Sequence, residues 1–216
     1  MSLVVRTLSD RIFEIVRERI VTGALSTDAP VRQEALAADL GVSKIPLREA
    51  LARLEQDGML ISQPNRGYFV KPMSADQIDE IYALRLSIEP RAAAEAAEQS
   101  DETGRAAVIE AFETLDATAT LVDVANRHRV FHAALVRPSG RALTVQLVER
   151  LAILSERYII AHLRSAENEA RARREHRALV EAWLARDGAQ VENLLSAHIR
   201  ATLDDLERQL ALAIAD

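Results

Sequence analysis

The sequence predicts a mainly α-helical chain in two parts: a small N-terminal unit of three helices closed by a two-stranded hairpin, and a C-terminal bundle of about six helices. Three observations carry this. Apolar residues recur at helical spacing along most of the 216 residues, and a 4% aromatic share with abundant Ala, Leu, Arg and Glu favours helix over sheet. The only short strand candidates flank a Pro-Asn-Arg-Gly turn at 64–67. Lys71-Pro72-Met73 breaks the pattern, and a new helix start follows at once.

Taken in order, Thr7 and Asp10 form a T-x-x-D helix start, and Ile12, Ile15, Val16 and Ile20 continue it until Gly23. A loop at 26–30 leads to a short helix marked by Leu36, Ala37 and Leu40, which ends at Gly41, the residue type that most easily adopts the left-handed cap. Ser43 is placed to cap a third helix, Pro46 is tolerable in its first turn, and Leu47, Ala50, Leu51 and Leu54 share one buried stripe. Strands are expected at Met59–Gln63 and Tyr68–Lys71. Ser74 with Gln77 reads as a capping box, and later breaks near Ser100, Thr120, Pro138-Ser139-Gly140, Ala166 and Asp187-Gly188 divide the remainder into about six helices able to pack as a bundle. The expected domains are 1–72 and 73–216.

Composition narrows the function classes. There are no cysteines, which excludes disulfides and thiolate metal sites. The first residues lack a secretion-signal core, and no stretch reaches the roughly 20 apolar residues of a membrane span, so a cytoplasmic protein without a membrane partner is expected. The net charge of −6 is unevenly placed: residues 1–72 hold 10 Lys/Arg against 9 Asp/Glu, whereas 73–216 hold 17 against 24. The acidic excess belongs to the second part. A DNA reader needs only a local basic face, because the electrostatic contribution counts neutralised phosphates rather than the whole chain's charge.

Helix, short helix, Gly-Val-Ser turn, helix and hairpin is the order of a winged helix-turn-helix. Burying Leu47, Leu51 and Leu54 leaves Lys44 and Arg48 one turn apart at the N-terminal end of the second helix of the pair, the end that enters a major groove. An arginine there can hold guanine O6 and N7 together, worth about 1–3 kcal/mol of discrimination. The bland alternative is a helical hairpin with a solvated charged face; the hairpin at 64–67 favours the DNA reader. These segments resemble the GntR family of repressors in L-A-x-x-L-G-V-S-x-x-P-x-R-E-A-L (Leu36 to Leu51), L-x-x-x-G-M-L (Leu54 to Leu60) and P-N-R-G-x-x-V (Pro64 to Val70). The resemblance implies that Ser43, Lys44 and Arg48 contact double-stranded DNA from the recognition helix, with Arg66 and Gly67 at the wing tip in the minor groove. Two positions depart from the family: Lys44 stands where arginine is common, which loses a planar two-pronged donor, and Gln33 stands where an acidic residue is common.

Four of the five histidines fall at suggestive places in the second part; His162 lies outside the pattern. His128 and His132 are four apart and share a helix face, while His176 and His198 lie on the apolar sides of their helices. Taken singly, each is ordinarily a core histidine satisfied by hydrogen bonds. Together they suggest a buried, nitrogen-rich site for a divalent transition metal, zinc first and nickel second, since neutral imidazole suits late transition metals. The segments R-V-F-H-A-A-L, E-H-R-A-L-V-E-A-W-L-A-R-D-G-A and S-A-H-I are similar to the FCD-type effector domain of the FadR subfamily. That resemblance implies His132, His176 and His198 as metal ligands, with His128 where the family usually has Asp or Asn. It also implies a small carboxylate effector. Arg85, in a segment resembling Y-x-L-R-x-x-x-E, is either an effector contact or the partner of Glu89 one turn on.

The expectation is therefore a homodimeric, ligand-responsive repressor on a pseudo-palindromic operator, and not an enzyme. Two alternatives stay open: a regulator for which the metal itself is the signal, and a metal-dependent hydrolase, against which stands the absence of a general base within the histidine motifs.

Overall fold

The computed structural model describes residues 7–27, 29–116, 121–162 and 165–215. The chain divides into two compact units, Met1–Pro72 and Met73–Asp216.

In the first unit α1 (Leu8–Val21), α2 (Gln33–Leu40) and α3 (Lys44–Gln56) are followed by β1 (Leu60–Gln63) and β2 (Gly67–Val70). The T-x-x-D start closes a full capping box: the Thr7 hydroxyl accepts from the Asp10 amide while the Asp10 carboxylate accepts from the Thr7 amide. Ile12, Val16 and Ile20 of α1 meet Leu47, Ala50, Leu51 and Leu54 of α3 in a core from which water is almost wholly excluded. Each buried isoleucine, valine or leucine contributes roughly 1.5–3 kcal/mol. Gly41 takes the left-handed conformation (φ 64°) that ends α2 and turns the chain into α3. Ser43 sits at the N-cap of α3 in extended backbone, but its side chain makes no capping hydrogen bond, contrary to the sequence reading.

The hairpin is antiparallel, with Leu60 opposite Val70 and Gln63 opposite Gly67. β1 begins one residue later than the sequence suggests, and β2 spans Gly67–Val70 instead of Tyr68–Lys71: Gly67 (φ 83°), beside Asn65 (φ 61°), joins the pairing at the turn, and at the far end the Lys71 amide still donates to the Met59 carbonyl at 3.0 Å. A further bridge from Pro30 to Phe69 and the bond from the Val31 amide to the Tyr68 carbonyl (2.7 Å) extend the hairpin with a third short segment.

The second unit holds α4 (Ala75–Gln99), α5 (Glu102–Asp116), α6 (Leu121–Val136), a short 3-10 turn at Arg137–Ser139, α7 (Ala142–His162), α8 (Ala166–Leu184) and α9 (Gly188–Ala215). The expected break at Thr120 lies outside the described residues; the others coincide with helix ends. Ser74 supplies half of the anticipated capping box, accepting from the Gln77 amide. α4 packs along α9, α6 lies between α5 and α7, and α8 packs on α9. Trp183, fully buried, donates its indole N–H to the Leu135 carbonyl (3.0 Å) and so pins α8 to α6. About two turns upstream of Trp183 on the same face stands His176, and one turn upstream of Leu135 stands His132. This tether fixes the register that brings those two rings together. No described helix is long and apolar enough to cross a membrane.

Candidate functional site

Three helices converge on the histidines. His128 and His132 project from one face of α6 with ring centroids 4.3 Å apart, and His176 of α8 and His198 of α9 close the group. One ring nitrogen from each of the four lies within 4.8 Å of those of the others, and all four residues are buried. The Nε2 atoms of His176 and His198 are 3.3 Å apart, a spacing that two ligands of one ion have when each is about 2.0–2.1 Å from it. Neither nitrogen of His132 makes a hydrogen bond, although the side chain is only 1% exposed. A buried polar atom left in that state costs about 1–3 kcal/mol, so the donor set fits an ion better than it fits an apolar core.

Electrostatics point the same way. Burial, reinforced by the neighbouring imidazoles, pushes His128 and His176 well below the ordinary histidine value, and burial lowers His132 to about 4. All three are therefore neutral at pH 7, the form that offers a lone pair to a metal.

Two carboxylates lie against the cage: Glu175, which the sequence does not single out, and Glu89, which it names only as a partner for Arg85. Glu175 lies 2.7 Å from His198 Nδ1, so that nitrogen donates to the carboxylate and Nε2 is the ring atom turned towards the other imidazoles. Glu89 brings one oxygen within 3.3 Å of His132 Nδ1, close but not aligned as a hydrogen bond. Glu89 itself is held by Arg85 in a two-pronged pair at 2.6 and 3.2 Å, with both side chains nearly inaccessible. Against the upward pull of burial, the Arg85 guanidinium keeps Glu89 at about 2. Of the two roles foreseen for Arg85, the partnership with Glu89 is the one formed within the chain. Its charge is also close enough to lower His128, His132 and His176 further. The side chain of His162 lies outside the described ones.

The candidate DNA-reading residues stand on the exposed face of the first unit. Lys44 and Arg48 lie on the outer side of α3, and Arg66 at the hairpin turn leans over the Phe69 ring at 5.2 Å. Ser43, Lys44, Arg48 and Arg66 are exposed, and Gly67 is half-buried in its positive-φ position. α2 holds both of these α3 cations: Lys44 donates to Glu34 at 2.6 Å and Arg48 Nε to Gln33 Oε1 at 3.4 Å. Neither partnership is visible in sequence spacing, since both cross the helix-turn-helix corner.

Comparison with known proteins accounts for both units. Residues 8–70 match the model of bacterial regulatory proteins of the gntR family, and residues 80–201 match that of the FCD domain. The chain is 30% identical over 220 residues to the uncharacterized HTH-type transcriptional regulator BphR of Paraburkholderia xenovorans, covering 96% of this chain and 88% of that protein. It is 27% identical to the HTH-type transcriptional repressor GlaR of Escherichia coli, over 91% of this chain and 94% of the relative. Among solved structures, E. coli McbR/YncC superposes with a TM-score of 0.70 at 24% identity over 94% of this chain and 99% of the other. A putative GntR regulator from Rhodococcus does so with 0.75 at 21% over 92% and 96%. Those two similarities speak to the fold. The relatives are DNA-binding regulators rather than enzymes, and a chain with this helix-turn-helix, this wing and this helical domain belongs to the GntR family of transcriptional regulators, with an FCD C-terminal domain.

Proposed function

We propose that this regulator is a ligand-responsive repressor whose second unit binds one divalent transition metal, zinc or nickel, through His128, His132, His176 and His198, and a small carboxylate beside it. The single observation that supports this most is the convergence of four buried imidazoles, ligand atoms within 4.8 Å, from three separate helices. When bound, the ion supplies Lewis acidity and an attachment point for a carboxylate oxygen. The chain's own residues do the rest. Burial keeps His128, His132 and His176 neutral, Glu175 orients His198, and Glu89 lies 3.3 Å from His132 Nδ1 while neutralising Arg85. Arg85 adds positive charge next to the cage for an incoming carboxylate, at the expense of its pairing with Glu89.

The DNA reading assigns Ser43, Lys44 and Arg48 to the major groove and Arg66 with Gly67 to the minor groove, in a homodimer that meets a pseudo-palindromic operator through half-sites about one helical turn apart. An effector that alters the relative placement of two such heads spoils their simultaneous docking. Domain roles follow: 1–72 reads DNA and 73–216 binds effector and dimerises. That two relatives are named as repressors, GlaR and a probable D-xylose operon repressor of Paenarthrobacter nicotinovorans, supports repression here.

A second reading has one observation in its favour. His128 stands as a fourth imidazole where the resembling family usually has Asp or Asn, and four protein ligands close a tetrahedral site, as in sites where the metal itself is the structural element. In that case DNA affinity follows metal concentration alone. The test is elemental analysis of the untagged protein beside the His132→Ala/His176→Ala variant. About one ion per chain, lost in the variant, is expected; no ion in either, even after soaking with zinc and nickel, removes the metal. DNA titrations of the metal-loaded protein with and without small dicarboxylic acids then separate the two readings.

A further inference from the structure

We propose that the cleft between the first half of α8 and the second half of α9 is a binding site for a compact dianion, a phosphomonoester or a dicarboxylate, distinct from the histidine cage. The cleft has a volume of about 440 Å³, and its lining includes Arg171 and Arg174 from α8 and Arg208 from α9. Three guanidiniums facing one space stand out in a unit that carries 24 acidic residues against 17 basic ones.

The floor of the cleft already stabilises negative charge. The Asp205 carboxylate is buried, with Arg171 Nη2 2.5 Å away on one side and the Arg208 guanidinium bonded to it on the other. Donor capacity remains after that pairing. Arg171 Nε and Nη2 are buried beneath the cleft beside Glu175 and Asp205, so Arg171 contributes its charge from below while the open donors come from the other two arginines. Among the described residues Arg174 has no ion-pair partner, although its side chain lines the cleft. The other acidic lining residue, Glu167, is exposed at the rim, where water screens it. Guanidiniums presented from two opposite helices match a ligand with acceptor oxygens on more than one side, which is why a phosphate ester or a pair of carboxylates fits better than a single carboxylate.

Arg171 also braces Glu175, the carboxylate that orients His198, so it is left intact in the test. The full chain, freed of metal on a chelating resin, is titrated calorimetrically at constant ionic strength with β-glycerophosphate and, separately, with malonate. Saturable binding of at least one is expected; which of the two binds identifies phosphate or dicarboxylate as the natural chemistry. Arg174→Ala/Arg208→Ala should weaken it about tenfold or more, and Arg174→Ala alone, which breaks no ion pair among the described residues, several-fold. Asp205→Asn, which removes the competing carboxylate, should tighten it. The His132→Ala/His176→Ala variant should bind as the parent does. No saturable heat from either anion, undiminished binding in both arginine variants, or loss of binding in the histidine variant each overturns the proposal. Because the titration uses metal-free protein, its outcome is independent of whether the cage takes an ion.

Discussion

His176 Nε2 and His198 Nε2 face each other at 3.3 Å, and the opposite edge of the His198 ring rests on Glu175 at 2.7 Å. With Nδ1 donating to the carboxylate, Nε2 of His198 is turned into the cage, so Glu175 sets the ring orientation. Glu175→Gln keeps the shape but replaces the charged acceptor with a neutral amide. Zinc affinity should fall by about 10–100-fold with the stoichiometry unchanged, as read by competition with a chromogenic chelator. An unaltered affinity would show that His198 is positioned without its help.

The Arg85–Glu89 pair is buried on α4 against His132. Removing one member leaves an uncompensated charge away from water, whereas removing both leaves only a packing change. Arg85→Met should therefore destabilise the fold by about 3–5 kcal/mol, and Arg85→Met/Glu89→Met by much less, both measured by urea unfolding of the metal-free protein. If the double variant is as unstable as the single, the pair acts through packing rather than charge.

Asp10 offers a pH prediction in the first unit. Its carboxylate accepts from Arg53 at 2.6 Å and from Thr7, and the Arg53 and Thr7 hydrogen bonds lower it from 3.8 to about 2. The folded value lies below the unfolded one, so this contribution is complete above pH 4 and is lost as pH falls from there towards 2. Asp10→Asn should flatten the acid limb of the stability curve in that window while leaving its shape near pH 7 unaltered. An identical acid limb in variant and parent would refute the assignment.

How far the sequence reports all this depends on the kind of information asked of it. Periodicity reports which face of a helix is buried, and so Leu47, Ala50, Leu51 and Leu54, the left-handed Gly41, the shared face of His128 and His132 and the apolar placing of His176 and His198 were all legible. It does not report which helices are neighbours or in what register. Glu175 adjoins His176 in sequence, yet its partner is His198 on the next helix, and nothing in the spacing announces that. The same holds for Glu34 and Gln33, which reach Lys44 and Arg48 across the Gly41 corner. Ser43 failed as a side-chain cap for a related reason: its position is right, but whether the hydroxyl turns towards the helix is decided by local geometry that residue identity does not fix.

Those two corner contacts make opposite predictions for DNA. Lys44 is held by a charged carboxylate, Glu34, while Arg48 has only the neutral amide of Gln33 at 3.4 Å. Exposed ion pairs are worth roughly 0.2–1 kcal/mol, so making or breaking one changes the cost of freeing a cation for DNA by up to about fivefold in affinity. Gln33→Glu, which gives Arg48 a carboxylate to leave, should weaken binding; Glu34→Gln, which releases Lys44, should strengthen it. Both are read by fluorescence anisotropy on a duplex selected from a random pool at low ionic strength, and added salt should shrink both differences through screening. Arg48→Ala should cost about 1–3 kcal/mol on that duplex and little on an unrelated one, the mark of a base contact rather than a phosphate contact. If Glu34→Gln weakens binding, Glu34 is positioning Lys44 rather than competing for it, and the carboxylate belongs to the reading surface.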